Sequence, residues 1–328
     1  MQYPGVEQDG TTQGEPLGQR GQAPARPVPP HRVWVDEPAS FATDRVCRIH
    51  HSFHQHPLMQ LPELAQLAQR LFPSGKCRFV APGITPASEF RHVRAPHDGS
   101  GIEEVFRRIE EPGAWVALYN VEADPAYRAF LSEVQAAVRP LVAHEQPGIF
   151  NVGGFIFVSA PPSVTPFHMD RENNFWLQVR GRKTIHVWDH TDRHIAPARD
   201  VEDFVLYGSL ERIRLQDGFM PRSHEICAGP GDGVYFPATS PHMTRSDTEG
   251  ACPGEGVSIS IGTVFYSDVT RRHARVHQLN QLLRRLGASP RPPGLSPVID
   301  SLKAPLGHLI GAARHRLRGN RTPPPGSY

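Results

Sequence analysis

The sequence predicts a mainly β protein, a sandwich or jelly roll flanked by helices. Three observations carry this. Between residues 151 and 266 the chain runs through short strand-like segments: GFIFVSA, VTPFHMD, NFWLQVRG, KTIHVWD, GVYFPA and VSISIGTVF. Turn residues separate most of them, among them Pro161-Pro162, Gly181 and Gly229-Pro230-Gly231. No long helical stretch interrupts the series, so strands must pair through turns rather than through helical crossovers.

Residues 1–40 are rich in Gly, Pro and Gln and have no hydrophobic period. They cannot bury enough apolar surface to offset their ordering entropy, which predicts a disordered tail. Residues 41–150 read as a helical and mixed region packing on the core. There LMQLPELAQLAQRLF sets Leu61, Leu64, Leu67 and Leu71 at helical spacing, with Pro62 near the start. A second helix is predicted over Ala126–Leu141 and a short strand over Trp115–Val121. Beyond the core, residues 267–328 return to helical periodicity before a disordered end. Val276, Leu279, Leu282, Leu283 and Leu286 share one stripe, and Val298–Ala313 predicts a further apolar helix. There is no internal repeat.

A chain of 328 residues, 38% hydrophobic and 21% charged, can build a core without staples. Cys47, Cys77, Cys227 and Cys252 form no CxxC pair and are expected as reduced thiols of a cytoplasmic protein. No apolar run reaches the roughly 18–20 residues a bilayer requires. The N-terminus lacks the basic start and apolar stretch of a secretory signal, so no membrane partner is expected. A formal charge of +2 points to no particular partner. From Thr270 onward eleven Arg and Lys accompany one acid, Asp300. Without a base-reading motif, this predicts a solvated basic face rather than a nucleic-acid site.

The chemistry concentrates in two segments. TPFHMD places His168 and Asp170 two residues apart, on one face of an extended chain. PGDGVYFPATSPH supplies a tight turn, an apolar strand and then His242. Two imidazoles and one carboxylate leave coordination positions open, which suits Fe(II) that must bind a co-substrate and O2 together. Zinc more often takes His-rich or Cys-containing sets. An isolated His-x-Asp is usually a surface pair. The competing cluster DHTDRH (Asp189–His194) is expected to be an exposed loop. Lys183 opens KTIHVWD just after the RGRK turn. Buried there, its ammonium would need an anion. A dicarboxylate chelating iron at one end would offer its far carboxylate to Lys183, with the Thr165 hydroxyl assisting. A solvent-facing lysine is the competing reading.

The stretch TPFHMDRENNFWLQVRGRK, followed by PGDGVYFPATSPH, resembles the JmjC/cupin-like oxygenases. It is similar in particular to the asparaginyl hydroxylase that acts on hypoxia-inducible factor and to related bacterial cupin-like proteins. The resemblance covers about a third of the chain. It implies a double-stranded β-helix (jelly roll, cupin/JmjC) core over residues 151–266. It implies Fe(II) at His168, Asp170 and His242 as the catalytic centre. The co-substrate 2-oxoglutarate would rest its distal carboxylate on Thr165 and Lys183, with Asn174 beside it. Tyr119, in WVALYNVEADPAY, would be the family's tyrosine that contacts 2-oxoglutarate from before the barrel; a core tyrosine with a satisfied hydroxyl is the competing reading. The implied activity is O2-dependent hydroxylation of a C–H bond, with release of succinate and CO2. Its substrate would be a peptide or protein side chain or a small metabolite.

One position departs from the family. An asparagine on the last core strand is replaced here by Gly262 or Thr263, which bears on carboxylate binding. In the same strand Ser258, Ser260 and Gly262 alternate with Val257, Ile259 and Ile261, a small-residue face able to line a narrow cavity; the apolar face inward is the competing reading. Phe167, Phe175, Trp176, Trp188 and Phe236 read as core, while Arg171 and Glu172 are placed to meet a polar substrate. A non-catalytic metal-binding cupin acting as a regulator or sensor is the main alternative, though a sensor has no use for the anchor pair Thr165 and Lys183. An N-methyl-lysine demethylase ranks lower, because the chain has no reader module and no zinc-finger spacing. The resemblance also implies a homodimer through the C-terminal helices, using the Val276–Leu286 stripe. Burial against the chain's own barrel predicts the same stripe.

Overall fold

The structure, a computed structural model, describes residues 31–317 apart from Pro82 and His92. The expected tail up to residue 30 and the expected disordered end from 318 lie outside the described residues. Regular structure begins earlier than the composition predicts. Strand β1 (Val33–Trp34) pairs with β2 (Cys47–His51), Val33 opposite His51. Two residues are too few to show a period in sequence; the neighbouring strand holds them.

The described strands form two antiparallel sheets. The larger has the order β1, β2, β10 (Asp232–Phe236), β7 (Asn173–Arg180), β12 (Ser258–Tyr266), β5 (Phe150–Ser159), β4 (Trp115–Tyr119), β3 (Cys77–Phe79). The smaller has the order β6 (Ser163–His168), β11 (His242–Ser246), β8 (Lys183–Val187), β9 (His224–Ala228). Each strand-like run read between 151 and 266 is a strand, and β9 and β11 join them. Strands β1–β4 come from before residue 120 and widen the larger sheet. The fourth is the strand expected over Trp115–Val121; the first three escape a periodicity argument because they are short and carry polar residues such as Arg48, His50 and Arg78.

Alternation along the strands separates two environments. On β7, Phe175, Leu177 and Val179 face outward, while Asn174, Trp176 and Gln178 face the interior. On β12, Ile259 and Ile261 join the outer core. The small face turns inward: Ser258 accepts a bond from Gln178, and a Cβ on Gly262 would sit 3.4 Å from Asn174 Oδ1. Helices α1 (Leu61–Leu71), α2 (Ile102–Arg107) and α3 (Pro125–Val142) cover the outer face. Leu64, Leu67, Phe130 and Val134 are fully buried there, each stabilising the fold by about 1.5–3 kcal/mol. Asp124 caps α3 by accepting from the Ala126 and Tyr127 N–H groups. Between the sheets, Ile185, Val187, Ile226, Val234 and Phe236 close one side of the sandwich; the polar interior that remains is the site.

Helix α4 (Ala198–Tyr207) packs on α5 (Asp268–Arg285), which starts in a Ser267/Thr270 capping box. The next helix, α6 (Pro297–Leu317), meets α5 through Asp300, Ala304, Gly307 and Gly311. At Gly307 a Cβ would fall on the Arg275 carbonyl, so only glycine allows this approach. The leucine stripe of α5 is largely used internally: Val276 is buried and Leu279, Leu282 and Leu283 are half-buried. The last residue of the stripe, Leu286, is 76% exposed just past α5, and on α6 Leu302, Leu306 and Leu309 are 54–72% exposed.

The thiol expectation needs correction. Cys227 and Cys252 form a disulfide with Cα atoms 5.7 Å apart, and Cys47 and Cys77 are buried free thiols. Twenty-five residues separate the pair in the chain. Only the folding of the segment after β11 back onto the edge strand β9 brings them together, so no local spacing signals it.

Candidate active site

His168 ends β6 and stands opposite His242, the first residue of β11. Asp170 follows in the loop after β6, and its carbonyl accepts the Thr239 N–H at 2.8 Å, which ties the two loops together. One ligand atom from each of His168, Asp170 and His242 lies within 4.8 Å of the others. His242 Nε2 is 3.5 Å from Asp170 Oδ2, and the imidazole centroids are 4.2 Å apart.

Both imidazoles are oriented by their own strands. His168 Nδ1 donates to the Pro166 carbonyl at 2.7 Å, and His242 Nδ1 donates to the Ser240 carbonyl at 3.0 Å. The Nε2 lone pairs are thereby left for a cation. Phe90 stacks on His168 at 4.1 Å and Phe236 packs on His242 at 4.7 Å. The histidines are buried, whereas the Asp170 side chain keeps 30% of its exposure, so the centre opens on one side.

That side is a cavity of about 250 Å³. Thr165, Asn174 and Tyr119 line it together with the three metal-type ligands. Thr244, paired with Thr165 across β11 and β6, adds a second hydroxyl. Aromatic side chains make much of the wall: Phe90, Phe155, Phe157, Trp176, Phe204 and Tyr266. Arg171 and Glu172 complete it. Arg171 donates to the Phe204 carbonyl at 2.9 Å, and Glu172 accepts the Tyr266 hydroxyl at 2.7 Å. Burial first, and the neighbouring Asp170 second, push the Glu172 carboxyl up from its ordinary range. Burial, again with Asp170 second, raises the Tyr119 phenol.

Lys183 is not on this wall. Ile185 pairs with Thr244, and Lys183, two residues earlier at the start of β8, enters the interior on the same face as Ile185. It is 1% exposed, and its ammonium donates to Ser159 Oγ at 2.9 Å. No carboxylate pairs with it among the described residues, and burial alone lowers its pKa to about 8. On the inward faces of β7 and β12, Gln178 Oε1, Asn174 Oδ1 and the Ser260 hydroxyl are buried without partners. A fully buried cation with no anion is costly. The donor set thus fits both parts of the implied group: a 2-His-1-carboxylate face for a divalent iron, and an uncompensated ammonium for the far end of a dicarboxylate.

Residues 146–269 match the family described as the JmjC domain. This segment is a JmjC domain. It contains both ligand segments, Lys183 and the whole of β12. A comparison with curated proteins finds no match. Among solved structures, the chain is similar to YcfD of E. coli at 15% identity, covering 91% of this chain and 71% of that one, with a TM-score of 0.43. YcfD described as a ribosomal oxygenase in complex with cobalt and 2-oxoglutarate aligns at 18% identity, covering 78% and 60%, with a TM-score of 0.37. The carbocyclase SnoK from nogalamycin biosynthesis, described as non-haem and alpha-ketoglutarate dependent, aligns at 12%, covering 77% and 90%, with a TM-score of 0.40. The JmjC domain and its His-Asp-His set make this protein an iron(II)- and 2-oxoglutarate-dependent oxygenase that uses O2.

Several lining residues were not singled out in sequence. Thr244 follows His242 by two and shares its face, and Tyr266 ends the β12 run two residues beyond Val264. Period-2 counting from His242 finds the first. Phe90 lies in an irregular segment without a period, and no local signal points to it. Trp176 was read as core; it is buried and yet reaches the cavity. The DHTDRH loop makes ion pairs of its own, Asp189 with His224 and Asp192 with Arg222.

Proposed function

We propose that this JmjC domain hydroxylates a C–H bond of a peptide or protein side chain, with His168, Asp170 and His242 as the iron ligands. The observation that carries the reading is the buried, unneutralised Lys183 ammonium behind a convergent His-Asp-His set. Iron held there would supply the oxidising power, with 2-oxoglutarate and O2 giving succinate and CO2 as the C–H bond becomes C–OH. The chain's own groups bind and orient. Hydrogen bonds to Pro166 and Ser240 keep the two imidazoles aimed, and Asp170 supplies the negative ligand. Lys183 swings from Ser159 to the distal carboxylate, assisted by the Thr165 hydroxyl, with Asn174 and Tyr119 beside it. Phe90 keeps water from one flank of His168. A cavity of about 250 Å³ is small beside drug-sized pockets and suits one side chain, with Arg171 and Glu172 positioned to meet its polar end.

Anaerobic addition of Fe(II) and then 2-oxoglutarate tests this without knowing the substrate. A visible charge-transfer band should appear in the wild type and vanish in Asp170→Ala. A protein that binds iron but gives no band with 2-oxoglutarate would fit the sensor reading instead. No described helix is long and apolar enough to cross a membrane. The disulfide removes the thiol argument for a cytoplasmic location. A second copy of the chain docking on the outer leucines of α6 is the dimer we propose, in place of one built on the α5 stripe.

A further inference from the structure

A second cavity lies beside the first and shares Arg171 and Tyr266 as a wall. Its volume is about 50 Å³, room for about four water-sized positions. Phosphate carries the same number of oxygens. Helix α5 presents Thr270, His273 and His277 to it at helical spacing, and the loop after β8 presents His190 and Arg193. Among the described residues no Asp or Glu lines it. The nearby acids are engaged elsewhere: Glu202 with Arg284 at 3.2 Å, and Asp300 with the Gly294 N–H at 2.7 Å.

Two buried polar atoms there have no partner, His277 Nδ1 and Arg193 Nε, and His277 is only 5% exposed. Buried nitrogens are seldom left this way in a folded protein, because each forfeits its hydration without return. Burial holds His277 down at about 3 and His190 at about 4, and it also lowers His273. At neutral pH these imidazoles are uncharged and can crowd together without repulsion. The three do not form a metal site, since the cluster with convergent ligand atoms among the described residues is the His-Asp-His set.

We propose that this second cavity is an oxyanion site, binding a phosphate or carboxylate group between Arg193, His273 and His277 beside the catalytic cavity. The inference stands apart from the oxygenase reading, because neither iron nor 2-oxoglutarate enters it. The anion has two possible sources, a free ion or the acidic end of a larger molecule.

The test is a titration of metal-free full-length protein with inorganic phosphate, followed by calorimetry and by the imidazole 1H–15N spectrum. Phosphate should bind saturably and shift the ring signals of His190, His273 and His277. Arg193→Gln should weaken binding at least tenfold, whereas Arg107→Gln, exposed on α2, should leave it unchanged. Phenyl phosphate separates the sources: binding like phosphate marks a subsite for a larger molecule, and exclusion marks a site for the free ion. Arg193 also donates to the His190 and Ala196 carbonyls; if its variant does not fold, the wild-type imidazole shifts decide the matter. The proposal is overturned by no saturable binding, by shifts confined to other histidines, or by loss of binding in Arg107→Gln with retention in Arg193→Gln.

Discussion

At the scale of single residues, Lys183 separates a structural from a functional role. Its pKa is lowered to about 8 from 10.5 by burial alone. Below pH 8 the ammonium is charged in both folded and unfolded chains, and the folded state bears a cost of about 3 kcal/mol. Between about pH 8 and 10.5 the unfolded chain binds more protons, so stability rises with pH through that window. Lys183→Met should therefore stabilise the ligand-free protein near pH 7 by up to about 3 kcal/mol and flatten this pH dependence in denaturant titrations. The same variant should raise the KM for 2-oxoglutarate roughly 10- to 100-fold, as expected for losing a hydrogen bond to a charged group worth about 1.5–3 kcal/mol. A stabilised variant with unchanged KM would leave the lysine without a role at the co-substrate. His168→Ala and Asp170→Ala should each lower 2-oxoglutarate consumption by roughly 1000-fold or more, since the proposed iron site would lose one of its three ligands. Succinate release at the wild-type rate in either variant would count against the ligand set.

At the scale of elements, the site depends on turns. Gly181 has φ +66° between β7 and β8, and a Cβ there would lie 2.9 Å from the Val257 carbonyl. Gly181→Ala should cost about 2 kcal/mol, from the left-handed backbone and the contact together. It should also loosen the start of β8, where Lys183 sits. Measured by thermal melting, a neutral effect would show that the turn relaxes freely. The strand-like runs of the core were legible in sequence because each faces an apolar layer on at least one side. The fourth strand was legible as the apolar run from Trp115; the first three were not, for they are two to five residues long and are completed by neighbours distant in the chain. The α5 stripe shows the limit of helical periodicity: it identifies a buried face but not what buries it.

At the scale of the whole molecule, the disulfide and α6 make predictions of their own. Closing a loop of 25 residues should stabilise the fold by about 3 kcal/mol on the chain-entropy account. Reduction, or Cys227→Ser, should lower Tm accordingly, and an unchanged Tm would mean the bond is not formed in solution. The outer leucines of α6 form an apolar face of the kind that a second copy covers. Leu302→Asp combined with Leu309→Asp should halve the mass in light scattering if the wild type is a dimer. A monomeric wild type would rule out the dimer.

The chain's own order of residues determined the candidate ligand types, their places at the end of β6 and at the start of β11, and the turn that leads to Lys183, because each follows from local backbone geometry. It also determined that small and apolar residues alternate along β12, since a period of two holds wherever a strand is paired on both sides, but not which of the two faces turns inward. Tertiary structure alone decided that the two histidines stand opposite each other, that Lys183 is buried without an anion, that Phe90 stacks on His168, and that Cys227 meets Cys252. Those facts depend on which strands become neighbours, and pairing between distant segments is settled by the free energy of the whole fold rather than by any stretch of it.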